Sequence, residues 1–341
     1  IMRKLILSTV TIWLCMVSTF AEEHNNFFSK YNFSFITEEA GLPHNYIDDI
    51  YKDSQGYIWV ATHNGIGRYN GYQFLHYDTR TSSIKLKNNF VHKICEDNYQ
   101  RLWIGTEEGI SLIDLTNYQE ATLISKAYPE IDEIFHTNIE TIYKDKEGNL
   151  WISTDKSLWC LEFNDLGKIQ DYYHLEHGAQ SSIHAIIDLG WCICAGIDNQ
   201  VCQIKLSPKH QLKVNSLSKL LNPFTQDWRI LCMETFGDNL WIGTNRGLFK
   251  YNHNKQTIQR YRYSSHRPGM LSQAYITDIK TTSRGKVIIS TLNGLNVYNE
   301  KEDNFFYIRQ DNRDPDKSLN SNYINCLYID EEQIWIGTEI G

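Results

Sequence analysis

The chain has 341 residues, and an apolar fraction of 41% with a mean hydropathy of −0.45 excludes both a membrane bundle and a long disordered tail. A formal net charge of −8 and a pI near 5.8 argue against nucleic acid as a partner, because binding a polyphosphate needs a basic footprint that displaces counterions. The eight cysteines form no CxxC pair; Cys192, Cys194 and Cys202 are neighbours in sequence but have no histidine or fourth cysteine at ligand spacing, so neither a metal nor a cofactor is expected.

In chain order, Met2-Arg3-Lys4 is followed by an apolar run from Leu5 to Phe20 and by Ala21 ahead of Glu22-Glu23. A charged start, a short apolar core and small residues at the boundary predict a signal peptide over residues 1–21, which would export residues 22–341. Residues 31–36, Tyr31 to Ile36, then read as a strand. From there the chain repeats itself. Trp59-Val60-Ala61-Thr62-His63-Asn64-Gly65-Ile66 recurs as Trp103-Ile104-Gly105-Thr106-Glu107-Glu108-Gly109-Ile110 and as Trp241-Ile242-Gly243-Thr244-Asn245-Arg246-Gly247-Leu248. Weaker copies start at Trp151, Ile193, Ile288 and Trp335.

Seven units spaced 42 to 48 residues apart, each a run of short strands and glycine turns without helical periodicity, predict an all-β protein, a seven-bladed β-propeller. The tryptophans should fill the wedges between sheets, and the small residue two places on should let the next sheet approach. The turn glycines should supply a positive φ. The unit at Ile193 is degenerate, but it stands one period from both neighbours and should still be a blade. The last copy stops at its turn glycine, Gly341, and Ile1 precedes Met2; both suggest a truncated chain whose last blade is incomplete, with strand 31–36 supplying that blade's outer edge.

Gly41-Leu42-Pro43-His44-Asn45-Tyr46-Ile47, Asp53-Ser54-Gln55-Gly56-Tyr57-Ile58-Trp59 and Asn64-Gly65-Ile66-Gly67-Arg68-Tyr69 together resemble the two-component regulator propeller repeat. That resemblance implies a periplasmic sensor region of an inner-membrane hybrid histidine kinase of Bacteroidetes type, with a second propeller and a kinase downstream, homodimeric at full length and responsive to glycan fragments. Kinase activity would then belong to other parts of such a protein, with none in this chain.

In a propeller blade, the connection into the innermost strand and the turn after the second strand emerge on one face, where ligands commonly bind. Candidate ligand residues are therefore the turn residues His63, Asn64, Glu107, Glu108, Asn245 and Arg246, with the aromatics Tyr46, Phe90, Tyr275 and Tyr323 that precede innermost strands. Aromatics there could stack on sugar rings, with the polar side chains bonding hydroxyls or pairing with uronate or sulfate groups. The competing reading is inter-blade packing for the aromatics and solvation for the charges. No GxSxG, HExxH, P-loop or dinucleotide fingerprint is present, so no catalytic residue is expected. Two rival functions remain, a protein-binding scaffold and the sensor domain of a diguanylate cyclase.

Overall fold

The computed structural model describes residues 27–28, 31–81, 84–121, 128–176, 182–217, 227–264, 267, 269–331 and 333–341; the expected signal peptide lies outside them. Blade 1 comprises β1 (Ile47–Lys52), β2 (Ile58–Thr62), β3 (Gly65–Tyr69) and β4 (Phe74–Tyr77). Blade 2 comprises β5 (Val91–Glu96), β6 (Arg101–Thr106), β7 (Gly109–Asp114) and β8 (Gln119–Glu120). Blade 3 holds β9 (Ile139–Lys144), β10 (Leu150–Thr154), β11 (Ser157–Phe163) and β12 (Ile169–Glu176), and blade 4 holds β13 (Ala185–Asp188), β14 (Ile193–Ile197), β15 (Gln200–Ser207) and β16 (Gln211–Ser216). Blade 5 follows with β17 (Ile230–Phe236), β18 (Asn239–Thr244), β19 (Gly247–Asn252) and β20 (Thr257–Tyr261). Blade 6 contains β21 (Ile276–Thr281), β22 (Val287–Thr291), β23 (Gly294–Asn299) and β24 (Asn304–Ile308); blade 7 contains β25 (Ile324–Asp330) and β26 (Gln333–Thr338).

Within every blade, successive strands pair antiparallel in chain order. The degenerate unit is a full four-stranded sheet, and a single parallel bridge, His174 to Gln211, joins its outer strand to that of blade 3. The protein is a seven-bladed β-propeller.

The signature residues of the repeat have separable mechanical roles. Thr62 Oγ1 donates to the Gly65 carbonyl (2.8 Å) and accepts from the Asn64 amide (3.1 Å), locking the two-residue loop between β2 and β3. The same lock recurs at Thr106, Thr244, Thr291 and Thr338. Gly65 has φ +92°, and a side chain there would also run into the Tyr77 carbonyl, so both conformation and space require glycine.

The small residue of the second strand sets the blade spacing: a Cβ on Gly105 would lie 2.6 Å from Ile139 Cγ2 of the next blade, and one on Gly243 2.7 Å from Ile276 Cγ2. The same fit closes the ring, because a Cβ on Gly337 would lie 2.7 Å from Ile47 Cγ2 of blade 1. Lys52 pairs with Asp330 at 2.8 Å, and Asn325 donates to the Ile47 carbonyl at 3.0 Å across that seam.

Trp59, Trp103 and Trp241 are wholly buried between sheets. In blades 1 to 3 an aspartate six residues earlier accepts the indole N–H: Asp53 for Trp59 (2.7 Å), Asp97 for Trp103 (2.9 Å) and Asp145 for Trp151 (2.8 Å). The same carboxylates accept turn amides, as Asp53 does from Gln55 and Tyr57, so one side chain both shapes the turn and satisfies the buried indole.

Residues 31–36, expected as a strand, join no hydrogen-bonded ladder. They lie across a cleft from β26, with the Ile36 carbonyl beside Gly341.

Candidate functional site

Three positions of each repeat build the mouth of the central channel. The residue that leads into the innermost strand forms the rim: Tyr46, Phe90, Asn138, Ser182, Arg229, Tyr275 and Tyr323 in blade order. The first hairpin-loop residue sits beside it, and its amide donates to the rim carbonyl, as Glu107 does to Phe90 (3.2 Å), Asp155 to Asn138 (3.2 Å) and Leu292 to Tyr275 (3.4 Å).

The third position comes from a β-bulge. In six blades the ladder between the first two strands skips one residue: Asp48, His92, Glu140, Leu231, Thr277 or Asn325. Such an extra residue is freed from the alternation of the strand and its side chain is re-aimed. Here it joins the loop and rim residues of its own and adjacent blades.

The expected aromatics come together unevenly around the ring. They occupy four consecutive blades, 6, 7, 1 and 2, whereas blades 3, 4 and 5 carry Asn138, Ser182 and Arg229. Tyr46 stacks on His63 at 4.0 Å between ring centroids, and Phe90 meets the same imidazole, tilted, at 5.2 Å. The Tyr46 hydroxyl titrates above its ordinary range, pushed upward by burial and by the nearby Asp48, Glu339 and Tyr275, with the Asn325 side chain opposing. Pure packing would bury these rings, yet Phe90, Tyr275 and Tyr323 are 41%, 38% and 51% exposed.

Asp48 lies among them. Its Oδ2 is buried and accepts no hydrogen bond, with His63 Nε2 at 3.1 Å and His92 Nδ1 at 3.8 Å.

The other expected residues take different roles. Asn245 uses both side-chain ends locally, accepting from the Arg229 amide (2.9 Å) and donating to the Asp227 carbonyl (3.0 Å). Arg246 is exposed and stands 3.7 Å from Asp227. Asn64 reaches the Pro43 carbonyl and Asn89 (both 3.5 Å), while Glu107 and Glu108 face solvent. Sequence reading missed Asp48, His92, Asn325 and Glu339. The signal for Asp48, His92 and Asn325 was available as the variable residue directly after the isoleucine or valine that opens each innermost strand; Glu339 is the first hairpin-loop residue after Thr338, the position that His63 and Glu107 hold in their blades.

Deeper in the channel wall the charges are paired. Asp49 accepts from Lys93 (2.7 Å) and from the Ile94 amide (2.9 Å), and Asp278 stands 3.4 Å from Lys280 while accepting from the Leu327 amide (3.0 Å). Asp278 holds the Lys280 ammonium above its ordinary range; burial works against the charge of Lys93, but Asp49 and Asp278 together hold it above its ordinary range. Burial holds His184 below the usual imidazole range, with Glu140 opposing and Arg229 reinforcing. Among the described residues no cluster of three histidine, cysteine or acidic side chains could hold a metal ion, and the cysteines, including Cys192 and Cys194 with sulfurs 3.5 Å apart, are free thiols.

This geometry defines a β-propeller with an open, chemically asymmetric channel mouth. Residues 41–64, 85–108, 133–156 and 318–339 match the family described as two component regulator propeller, so four segments of the propeller are repeats of that type. Among solved structures it is similar to the extracellular domain of the hybrid two component system BT4673 from B. thetaiotaomicron (TM-score 0.70, 20% identity, 91% of this chain and 39% of that one). The corresponding domain of BT3049 from the same organism matches with a TM-score of 0.69 at 22% identity, over 90% of this chain and 40% of that one. Virginiamycin B lyase from Staphylococcus aureus has a similar fold (TM-score 0.60, 14% identity, 87% of this chain and 92% of that one). No curated protein matches the chain in sequence. The chain spans about two fifths of the two sensor domains, 39% and 40% of their lengths.

Proposed function

We propose that this chain is a ligand-sensing propeller of an extracytoplasmic two-component sensor and that it binds a glycan-derived oligosaccharide at the channel mouth. One observation carries the reading: partly exposed aromatic rings on four consecutive blades surround the Asp48 carboxylate, whose buried Oδ2 meets only the imidazoles of His63 and His92. Rings of this kind offer flat apolar faces to a sugar, and the Asp48 carboxylate beside them can accept from a ligand hydroxyl. Asp48, Glu339 and Glu107 stand on the aromatic side, so a neutral oligosaccharide fits there better than a uronate or sulfated one. Arg229 across the mouth is the place for any anionic substituent.

In this reading the propeller recognises and converts nothing. Its periplasmic placement, a second propeller, a kinase output through other parts of the protein and homodimerisation belong to the same proposal, supported by the repeat family and the similar sensor domains.

A thermal-shift screen of the chain against a panel of neutral and acidic oligosaccharides tests the ligand. The expected result is stabilisation by a neutral oligosaccharide, weakened at least about tenfold in apparent affinity by Tyr323→Ala and by Asp48→Asn. Absence of a shift with every sugar, alongside saturable binding of a protein partner to the same face, would replace this reading with the scaffold one.

A further inference from the structure

Blade 4 departs from the repeat at two positions that the other blades treat alike. On either side of the tryptophan position, all six other blades carry branched aliphatic residues, as at Ile58 and Val60 or Leu102 and Ile104. In blade 4 both are cysteines, Cys192 and Cys194, around Ile193. Residues two apart along an extended chain point to the same side of a sheet. Both thiols accordingly enter the apolar wedge between blades 4 and 5, whereas Cys202 lies on the opposite side of the sheet, against blade 3.

The pair is close, and one member of it can be reached. The two sulfurs are 3.5 Å apart. Cys194 is buried within β14, while Cys192 stands just ahead of that strand, in a turn where the Leu189 amide donates to the Cys192 carbonyl at 3.0 Å. Among the described cysteines Cys192 alone is not buried. Trp191 beside it is 52% exposed and meets His253 of blade 5 at 4.5 Å between ring centroids. The turn lies at the end of β14 away from the hairpin loop, hence away from the channel mouth. The hydrogen bond from Cys194 draws the Cys192 thiol below its ordinary range against the effect of burial, and the same contact together with burial holds Cys194 far above it. The reachable sulfur is therefore the one that ionises first.

We propose that Cys192 and Cys194 form a reversible thiol–disulfide exchange site whose substrate is an accessible disulfide. The Cys192 thiolate attacks one sulfur of that disulfide and breaks its S–S bond, and the departing thiolate takes up a proton from solvent. Cys194 then gives its proton to solvent and attacks Cys192 Sγ, which releases the second substrate thiol and closes the Cys192–Cys194 bond. Two protein thiols are oxidised and one substrate disulfide is reduced to two thiols, a transfer of two electrons. Two residues along an extended chain separate the Cα atoms by about 6.6 Å, within the roughly 4.4–6.8 Å that a disulfide spans. Disulfides brace a fold by closing long loops. One that closes a loop of three residues adds little bracing, and its place at the surface puts it in the exchangeable class.

The probe is oxidised glutathione, added to the folded full chain. Unfolding, alkylation and mass analysis of the tryptic peptide 169–205, which holds Cys192, Cys194 and Cys202, then give the readout, and no ligand at the mouth enters it. The expected result is a peptide that has lost two hydrogens and carries one alkyl group, on Cys202, with all three thiols restored by dithiothreitol. Cys194→Ser should stop at a glutathione adduct on Cys192, and Cys192→Ser should slow the reaction of this peptide at least about tenfold, because the sulfur that remains is buried. A wild-type chain that keeps three alkylatable thiols, or that accumulates the adduct without closing the bridge, would overturn the proposal. So would loss of two hydrogens in Cys194→Ser, or oxidation of the wild-type chain only after unfolding in urea. The wild-type arm decides the matter even where a serine variant fails to fold.

Discussion

Blade 2 and blade 7 carry the same core motif, Trp-Ile-Gly-Thr, in opposite states. In blade 2, Trp103 is wholly buried, its indole bonded to Asp97, and Gly105 seats against Ile139 of the next sheet. In blade 7, Trp335 is half-buried and its indole lacks an acceptor, although Gly337 seats against Ile47 just as closely. Contact between neighbouring blades is therefore independent of blade completeness: the small residue and the isoleucine deliver it even where the third strand and the aspartate are missing. What the complete blade adds is burial of the tryptophan and satisfaction of its N–H.

The largest test of this difference is truncation of the two tryptophans. Trp103→Ala should destabilise by about 3–5 kcal/mol in urea unfolding, and Trp335→Ala by about half that or less, because its ring has less buried area to lose and its removal opens no sealed cavity. Equal losses would mean that blade 7 is as tightly packed as blade 2.

Next comes the aspartate. Asp97 is bonded to Trp103, to Arg101 and to two turn amides, so Asp97→Ala should cost about 3 kcal/mol by leaving a buried indole unpaired. Thr235, at the same six-residue spacing before Trp241, pairs with Leu240 in the ladder, and the Trp241 indole is already unpaired, so Thr235→Ala should stay within about 0.5 kcal/mol.

A smaller loss is expected for the hairpin lock. Thr106→Val and Thr338→Val should each cost about 1–2 kcal/mol, since both hydroxyls donate to a glycine carbonyl at 2.7 Å. If only Thr106→Val were costly, the lock would depend on the third strand and not on the turn.

The smallest effect concerns pH. His184 has its folded-state pKa lowered by burial, so its contribution to stability is present above the unfolded value near 6.5 and is lost as pH falls below it. The urea midpoint should decline between pH 7.5 and 5.5, and His184→Gln should flatten that decline.

Strand order, blade number, the turn glycines and the small residue of the second strand were all legible from the repeat, because each is enforced by local chemistry that recurs every blade. The aspartate that holds Trp59, Trp103 and Trp151 was equally periodic, six residues ahead, but looked like ordinary turn composition because nothing in sequence says which buried N–H needs an acceptor. Of the six expected loop residues, Glu107, Glu108 and Arg246 are exposed and Asn245 serves its own loop. Hairpin loops share sequence positions but not neighbours.

By itself, then, the sequence determined the unit: its strands, their order and the spacing at which one sheet meets the next, all consequences of short-range geometry. The mouth was decided only by the ring. A bulge turns Asp48 and Asn325 out of their strands, and closure places Tyr46 beside Asn325, Glu339 and Tyr275, residues more than two hundred positions away. Those meetings depend on the summed rotation of seven sheets, which no single repeat encodes.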